Sequence, residues 1–292
     1  MLTIPGKTFL VGEYAVLVGG EALGIATNPV FSLETKSPNE IIDYHAQSAV
    51  GLFCIKNDLV FNRKIINPYG VGGFGQSTAE FIFAWFEKNK IDLSPQIIPE
   101  IFNDYIDLFY SDKLNNKKPS GADLIIQLLG QITYFNPDLQ KSKSVFWPFP
   151  DLSFFVISTG LKINTHDHLE NLDRDCLKQM PEYSKNVIDS FFEQNQDQFI
   201  SHLQTWSEKL NQLSLQHSDV LKIKQDLSKY KEIIFIKPSG AMGADVCIVF
   251  CKKHNKQAVS EILINEKISI QSDETNLSPG VLNVYSQSKE LV

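Results

Sequence analysis

Three hydrophobic patterns succeed one another along the chain. "KTFLVGEYAVLVGGEALGIAT" mixes β-branched and aromatic residues with Gly-Gly at 19 and 20, which predicts strands joined by a turn. "EIIDYHAQ" and "GLFCIKNDLVFN" continue that character and are also expected to be extended. In "QSTAEFIFAWFEKNK" the period changes: Ala79, Phe81, Ile82, Phe83, Trp85 and Phe86 are spaced to line a broad helical face. Ser77 and Thr78 supply N-cap chemistry there, with Glu80 in the first turn. A second helix is expected around "PEIFNDYIDLFYSD" and a third at "KPSGADLIIQLLG", with Pro119 at an early helical position and Gly130 at the end. "QITYF" returns to strand character. After "WPFPD", "LSFFVIST" reads as a buried strand, so a domain boundary is expected there, dividing the chain into 1–152 and 153–292. The second half predicts helices from about Asp167 to Tyr230, then strands at "EIIFIKP" and "DVCIVFCKK". A helix from about Asn255 and short strands at "KISIQS" and "VLNVY" complete it. Helices interleaved with strands make an α+β fold. The Gln/Asn-rich "FFEQNQDQF" reads as a solvated helix face.

Composition narrows the functional classes. At 292 residues the chain can hold two ordinary domains. The net charge is −7, with 25 Lys and two Arg, Arg63 and Arg174. That balance speaks against a broad nucleic-acid surface and leaves room for a basic pocket that takes a small anion. No stretch approaches the roughly 20 apolar residues of a membrane helix, and "MLTIPGKTFL" has neither a basic start nor a cleavable apolar region. A cytoplasmic protein without membrane or nucleic-acid partners is expected. Cys54, Cys176, Cys247 and Cys251 are scattered without CxxC pairs, which suits a reducing compartment. Cys247 and Cys251 share strand parity and read as core thiols, with His254 the one neighbour hinting at a metal.

The densest chemical signal is "GVGGFGQSTAEF", Gly70 to Phe81, a glycine-rich run that enters a helix. Free backbone N–H groups and the helix dipole both favour a bound phosphate in such a place. Gly70, Gly72 and Gly75 satisfy the dinucleotide fingerprint, which also needs a buried strand before it and an acidic residue roughly 20 positions on. Here "FNRKIINPY" is polar, ends near Pro68, and the acidic candidate Asp92 sits in a loop-like "KIDLSP". Gly70, Gly72, Phe74 and Gly75 also imitate the glycine loop of protein kinases. The strand lysine, H-R-D loop and D-F-G that those enzymes require are missing, "HDHLENL" at 166–172 lacking the Arg. No G-x-x-x-x-G-K-[ST] occurs.

The third match sets Gly73, Phe74, Gly75, Gln76, Ser77, Thr78 and Ala79 against G-L-G-S-S-A-A, with Phe74, Gln76 and Thr78 departing from the pattern. That string is the phosphate loop of the GHMP kinases, named for galacto-, homoserine, mevalonate and phosphomevalonate kinases. "IPGKTFLVGEYAVLVGG" at 4–20 resembles the family's first motif, P-G-K-x-x-L-x-G-E-[HY]. "KPSGAMGADVCIVF" at 237–250 resembles its third, and "KPSGADLIIQLLGQITYF" is similar to the P-S-G-x-D segment of mevalonate kinases. The motifs arrive in family order across positions 4 to 250, so the chain is identified as resembling the mevalonate and phosphomevalonate kinase branch.

The resemblance implies a two-domain fold, with a ribosomal-S5-like N-terminal domain, a ferredoxin-like C-terminal domain and ATP in the cleft between them. It implies that backbone N–H groups from Gly72 to Thr78, by way of Gly73, Gly75, Gln76 and Ser77, wrap the ATP phosphates. Ser77 aligns with a magnesium-ligating serine, and Asp112 stands eleven residues before Asp123, where mevalonate kinases carry an acidic Mg2+ ligand, there a Glu. Asp123 matches the aspartate that takes the acceptor's proton, and Lys7 the lysine that supports it. Glu13, Tyr14, Thr165, Gly240 and Ala241 fall where the family meets its acceptor. Gln76, in place of a serine, offers an amide as donor.

The acceptor is a small molecule, and its identity stays divided. "PSGAD" and the Asp112 spacing favour mevalonate, whereas Tyr14, "STG" at 158–160 and Asp245 favour phosphomevalonate. A phosphorylated acceptor calls for extra cations, usually Arg, and only two are present. The balance favours a mevalonate kinase of isoprenoid precursor synthesis, ahead of phosphomevalonate, homoserine or sugar kinases. A non-catalytic or decarboxylating relative is the other class, although decarboxylases lack the P-G-K of Pro5 to Lys7. A homodimer is allowed and not required.

Overall fold

The computed structural model describes residues 2–34, 42, 44–70, 73–109, 119–160, 174–244 and 246–282. Two antiparallel sheets divide these residues at the "WPFPD" interruption. The first has strands β1 (Thr3–Val11), β2 (Ala22–Leu33), β3 (Ile65–Ile66), β4 (Ile132–Asn136) and β5 (Lys141–Val145). Its order is β1-β2-β4-β5, with β3 added on β2. The second has β6 (Leu152–Ser158), β7 (Ile233–Ser239), β8 (Val246–Lys252) and β9 (Ile270–Asp273), in the order β7-β8-β6-β9. With the helices between β6 and β7 and between β8 and β9, that order is the split βαβ arrangement of ferredoxin-like domains.

Strand chemistry explains the layers. Along β6 and β8, Phe154, Val156, Ile248 and Phe250 face the main core, while Phe155, Ile157, Cys247, Val249 and Cys251 face a second cluster. The period-two alternation buries both faces, which is why these strands read as continuous apolar runs. Helices α7 (Ser218–Leu227) and α8 (Lys256–Asn265) supply Val220, Leu227, Val259 and Leu263 to the second cluster. Burial pushes the Cys247 and Cys251 thiols up to about 12, as befits core thiols. On the main-core side, α5 (Met180–Phe192) and α6 (Gln196–Gln212) pack together, and Trp147, Phe149, Phe154, Phe191, Phe199 and Phe250 form one aromatic nest where the halves meet. The main cluster takes residues from both sheets, Ile4 and Leu23 as well as Phe154 and Phe250, so the halves share a core.

The first half carries α1 (Ala49–Lys56), α2 (Gln76–Asn89), α3 (Ile98–Asp107) and α4 (Ala122–Leu129). Helix α4 lies against β1, β2 and β4. It comes so close that a Cβ on Gly24 would sit 2.0 Å from Ile126 Cδ1. Only glycine permits that approach.

Several sequence expectations change here. "GLFCIKNDLVFN", read as extended, opens as helix α1, because Ser48 caps it by accepting from the Gly51 N–H and Phe53 packs edge-on against Phe81 of α2. Tertiary burial overrides the strand propensity of those residues. Pro119 precedes α4 by three residues, and the N-cap is Gly121. Helix α2 is capped by Gly75, so Ser77 and Thr78 lie in its first turn. "VLNVY" starts in helix, with Val281 and Leu282 helical, and its remaining residues lie outside the described ones. Residues 167–173 of the expected helical stretch also lie outside them.

Candidate active site

Strand β1 is the terminal strand of its sheet, so one edge is free to bind loops. Its ladder with β2 shifts register between Pro5 and Gly6 and again between Phe9 and Val11, on either side of Lys7. Such irregularities re-aim side chains and favour functional positions. The Lys7 N–H donates to the Phe74 carbonyl at 2.9 Å, which stitches the glycine loop to the strand edge. The Lys7 Nζ reaches Asp123 Oδ1 at 2.8 Å and lies 4.8 Å from the Phe9 ring centroid. Lysine is the more enclosed partner, at 13% exposure against 35% for Asp123, so the carboxylate opens toward solvent. Asp123 occupies the first turn of α4, where the helix dipole adds to the ammonium's attraction for an anion.

The loop itself runs through three consecutive positive φ values, Gly73 at 96°, Phe74 at 54° and Gly75 at 79°. A non-glycine residue pays for that conformation, and Phe74 is held in it by stacking on Tyr69, ring centroids 4.0 Å apart at 7°. Tyr69 in turn shares a 3.0 Å hydrogen bond with Thr27 on β2. Gly75 has no room for a side chain: a Cβ would meet Lys7 Cγ at 2.8 Å and Gln127 Nε2 at 3.1 Å. Gln127, one turn beyond Asp123 on α4, donates to the carbonyls of Pro5 at 2.8 Å and Gly75 at 3.2 Å. One amide thus ties strand, loop and helix together.

Beyond the loop, α2 begins with N–H groups that have no acceptor within the helix. Ser77 is exposed in that first turn and Thr78 is buried. The Tyr105 phenol of α3 hydrogen-bonds Thr78 and lies in the field of Asp123. Burial first, and then that charge, push it up to about 12, against a smaller lowering by Thr78. Gln76 is occupied, accepting from Asn67 Nδ2 and donating to Glu80, each at 2.9 Å.

The end of β7, just before the loop to β8, meets the same strand edge. Ser239 Oγ accepts from Thr8 Oγ1 at 2.9 Å and from the Phe9 N–H at 3.2 Å, and donates to the Phe9 carbonyl at 2.9 Å. Lys237 Nζ binds Glu13 Oε1 at 2.5 Å and the Phe9 carbonyl at 3.1 Å. Burial pulls the Lys237 pKa down, and the Glu13 carboxylate opposes it. The Met242 N–H donates to the Tyr14 hydroxyl at 3.1 Å, and the Met242 carbonyl accepts from the His217 N–H at 2.8 Å. Lys7, Thr8, Phe9, Phe74, Gly240 and Val246 line the cleft that results.

Lys7, Asp123, Gly73, Gly75, Gln76, Ser77 and Thr78 are therefore brought together, with Gly240 across the cleft. Glu13 and Tyr14 turn inward, 5% and 3% exposed, Glu13 onto Lys237 of β7 and Tyr14 onto Met242 in the β7–β8 loop. Ala241 opens a 3-10 turn ending at Gly243, while Gly72, Asp112, Thr165 and Asp245 lie outside the described residues. Sequence reading missed Tyr105, Gln127, Lys237 and Ser239. A lone Gln in "ADLIIQLL" and a lone Lys in "IIFIKP" were the available signals, each a polar residue in an apolar element. Among the described residues no group of three or more His, Cys, Asp or Glu is placed to hold a metal, and no helix is long and apolar enough to cross a membrane.

Neither a family model nor a curated protein sequence matches the chain. Solved structures do match, over nearly the whole length. A Streptococcus pneumoniae phosphomevalonate kinase in complex with phosphomevalonate and AMPPNP is 13% identical at a TM-score of 0.68, covering 93% of this chain and 98% of that one. An L. major mevalonate kinase in complex with R-mevalonate is 15% identical at 0.62, covering 92% and 94%. A Lactococcus lactis galactokinase complexed with galactose is 9% identical at 0.63, covering 95% and 94%. The chain has the fold of these small-molecule kinases, the one that the motif resemblance implied.

Proposed function

We propose that the chain is an ATP-dependent small-molecule kinase, with residues 1–152 and 153–292 as its two domains, and that its acceptor is mevalonate. The observation that carries the reading is the double engagement of Lys7, bonded through its N–H to the glycine loop and through its ammonium to Asp123. Phosphoryl transfer asks for positioning and charge stabilisation more than for covalent chemistry by the protein. The loop suits a triphosphate on two counts: Gly73 and Gly75 allow its run of positive φ values, and the N–H groups of Ser77 and Thr78 in the first turn of α2 have no backbone acceptor among the described residues.

Bound ATP supplies the phosphoryl group, and magnesium supplies positive charge to its oxygens. The backbone from Gly72 to Thr78, including Gly73, Gly75 and Gln76, grips the phosphates, with Ser77 and Asp112 as the oxygen donors for the metal, a set that suits a hard cation. Asp123, 35% exposed beside Lys7, would accept the proton of the acceptor hydroxyl as that oxygen bonds to the γ-phosphorus and the bond from phosphorus to the departing ADP oxygen breaks. Lys7 keeps the carboxylate oriented and stabilises charge developing beside it. Thr165, Gly240 and Ala241 form the acceptor side, with Glu13 and Tyr14 behind it, bonded to Lys237 and to the Met242 N–H.

Phosphomevalonate is the second reading, favoured by Tyr14 in the first motif and by the fold likeness to a kinase that was solved with it. Against it, Arg63 pairs with Glu87 and Arg174 donates to the Leu17 carbonyl. Neither is among the residues that line the cleft. Incubation with Mg·ATP and separate samples of mevalonate, phosphomevalonate, homoserine and galactose decides the matter. ADP formation with mevalonate is expected, and ADP formation with phosphomevalonate alone would transfer the assignment to the second reading.

A further inference from the structure

The free edge of β1 carries two loops at a fixed separation. Lys7 binds the phosphate-loop carbonyl of Phe74, and two residues on, Phe9 offers its N–H and carbonyl to Ser239 and Lys237. Alternate residues of an edge strand point their backbone groups the same way, so the attachment points lie about 7 Å apart along one line. The partner strand, β7, is likewise terminal in its sheet. No ladder joins the edges of β1 and β7; side chains do.

Lys237 is the unusual member of that joint. It is fully buried, and the side chain of its partner Glu13 is 5% exposed, with one buried carboxylate oxygen, Oε2, that has no hydrogen-bond partner. Lysine is almost never fully buried unless paired. A buried pair, especially one left incompletely satisfied, rarely stabilises a fold more than well-packed apolar residues would. Stability is therefore a poor reason for its presence, and registry is a better one. An apolar contact tolerates sliding, whereas an ammonium held by one carboxylate and one carbonyl has a single position. From Lys237 the chain passes through Ser239, also tied to Phe9, directly into the turn at Gly240 to Gly243.

We infer that Lys237 is a positioning residue: with Glu13 and the Phe9 carbonyl it fixes the third glycine loop at a set distance along β1 from the phosphate loop. Strand β1 thereby acts as a ruler between the phosphate grip and the opposite wall of the cleft. The inference rests on the proposed kinase reading for its purpose, though the physical claim about the loop stands by itself.

Amide hydrogen exchange tests it in the full chain, with Lys237→Met and the double variant Glu13→Gln/Lys237→Met. The single variant leaves a buried charge alone and risks unfolding, which the double variant avoids. In the double variant, amides of residues 240–244 are expected to exchange at least roughly tenfold faster while those of β8, 246–252, stay protected and Tm stays near wild type. A parallel assay with Mg·ATP should show kcat lowered by about 10²-fold, the scale at which small misplacements act. Unchanged exchange at 240–244, or equal loosening of 240–244 and β8, would overturn the inference. Altered exchange in a protein whose wild type transfers no phosphoryl group would leave the latch standing and remove the kinase reading alone.

Discussion

Lys7 is where the site's bonds converge, and it has one neighbour for each job the chemistry needs done. Its N–H holds the loop at Phe74, its ammonium holds Asp123, and its stem leaves no space for a side chain on Gly75. Replacing Asp123 by Asn keeps shape and removes the proposed base, so turnover should fall by about 10²–10⁴-fold while nucleotide affinity is retained, checked by steady-state kinetics beside a nucleotide titration. Lys7→Ala should lower kcat more than it weakens nucleotide binding; an unaltered kcat would make the ammonium dispensable. Gly75→Ala combines a left-handed φ, about 1–2 kcal/mol, with a 2.8 Å contact to Lys7, so it should depress both Tm and nucleotide affinity. At this scale the sequence was informative where residues sit in ordered strings, as with Lys7, Gly75 and Asp123. It was silent on Tyr105 and Gln127, since their partners Thr78, Pro5 and Gly75 are distant in the chain, and distance in sequence hides a contact that only the fold creates.

Elements show what local pattern can and cannot specify. β6 and β8 were legible because both of their faces are buried, and a continuous apolar run is what that requires. Helix α1 was not, since "GLFCIKN" carries strand-like residues and its one local helix signal, Ser48, lies just outside the string. Ser48→Ala should cost about 1 kcal/mol by chemical denaturation, and no cost would deny the cap its role. At the end of β9, Glu274 and Asp273 bind the second half together. Burial alone would raise both carboxyls. Hydrogen bonds from Lys253, Lys256 and the Phe154 N–H to Glu274, and from Thr275 and Lys256 to Asp273, outweigh it and hold both below the ordinary range. A folded-state pKa lower than the unfolded one stabilises the fold above about pH 4.5 and loses that stabilisation as pH falls through the folded value. Glu274→Gln should therefore lower Tm at pH 7 and flatten its decline below pH 4.5; parallel Tm curves for the two proteins would refute this.

For the whole molecule, the two sheets are joined by a common core and by side-chain bonds between their terminal strands. The aromatic nest around Trp147 lies at that junction, so Trp147→Ala should cost about 3 kcal/mol and still leave one cooperative transition for the chain. Two separate transitions would mean that the halves are independent. The change from one sheet to the other after β5 coincides with "WPFPD", but the shared core was not readable, because a hydrophobic pattern says that a face is buried and does not say against what. The fold places a positive-φ loop, a helix start and a carboxylate around one lysine, an arrangement that suits a triphosphate on one side and a hydroxyl on the other. The most direct measurement is a crystal structure with Mg2+ and a non-hydrolysable ATP analogue. The account predicts the γ-phosphate at the start of α2, between Gly73–Thr78 and Asp123. A nucleotide bound elsewhere, or with Asp123 turned away from its γ-phosphate, would contradict it.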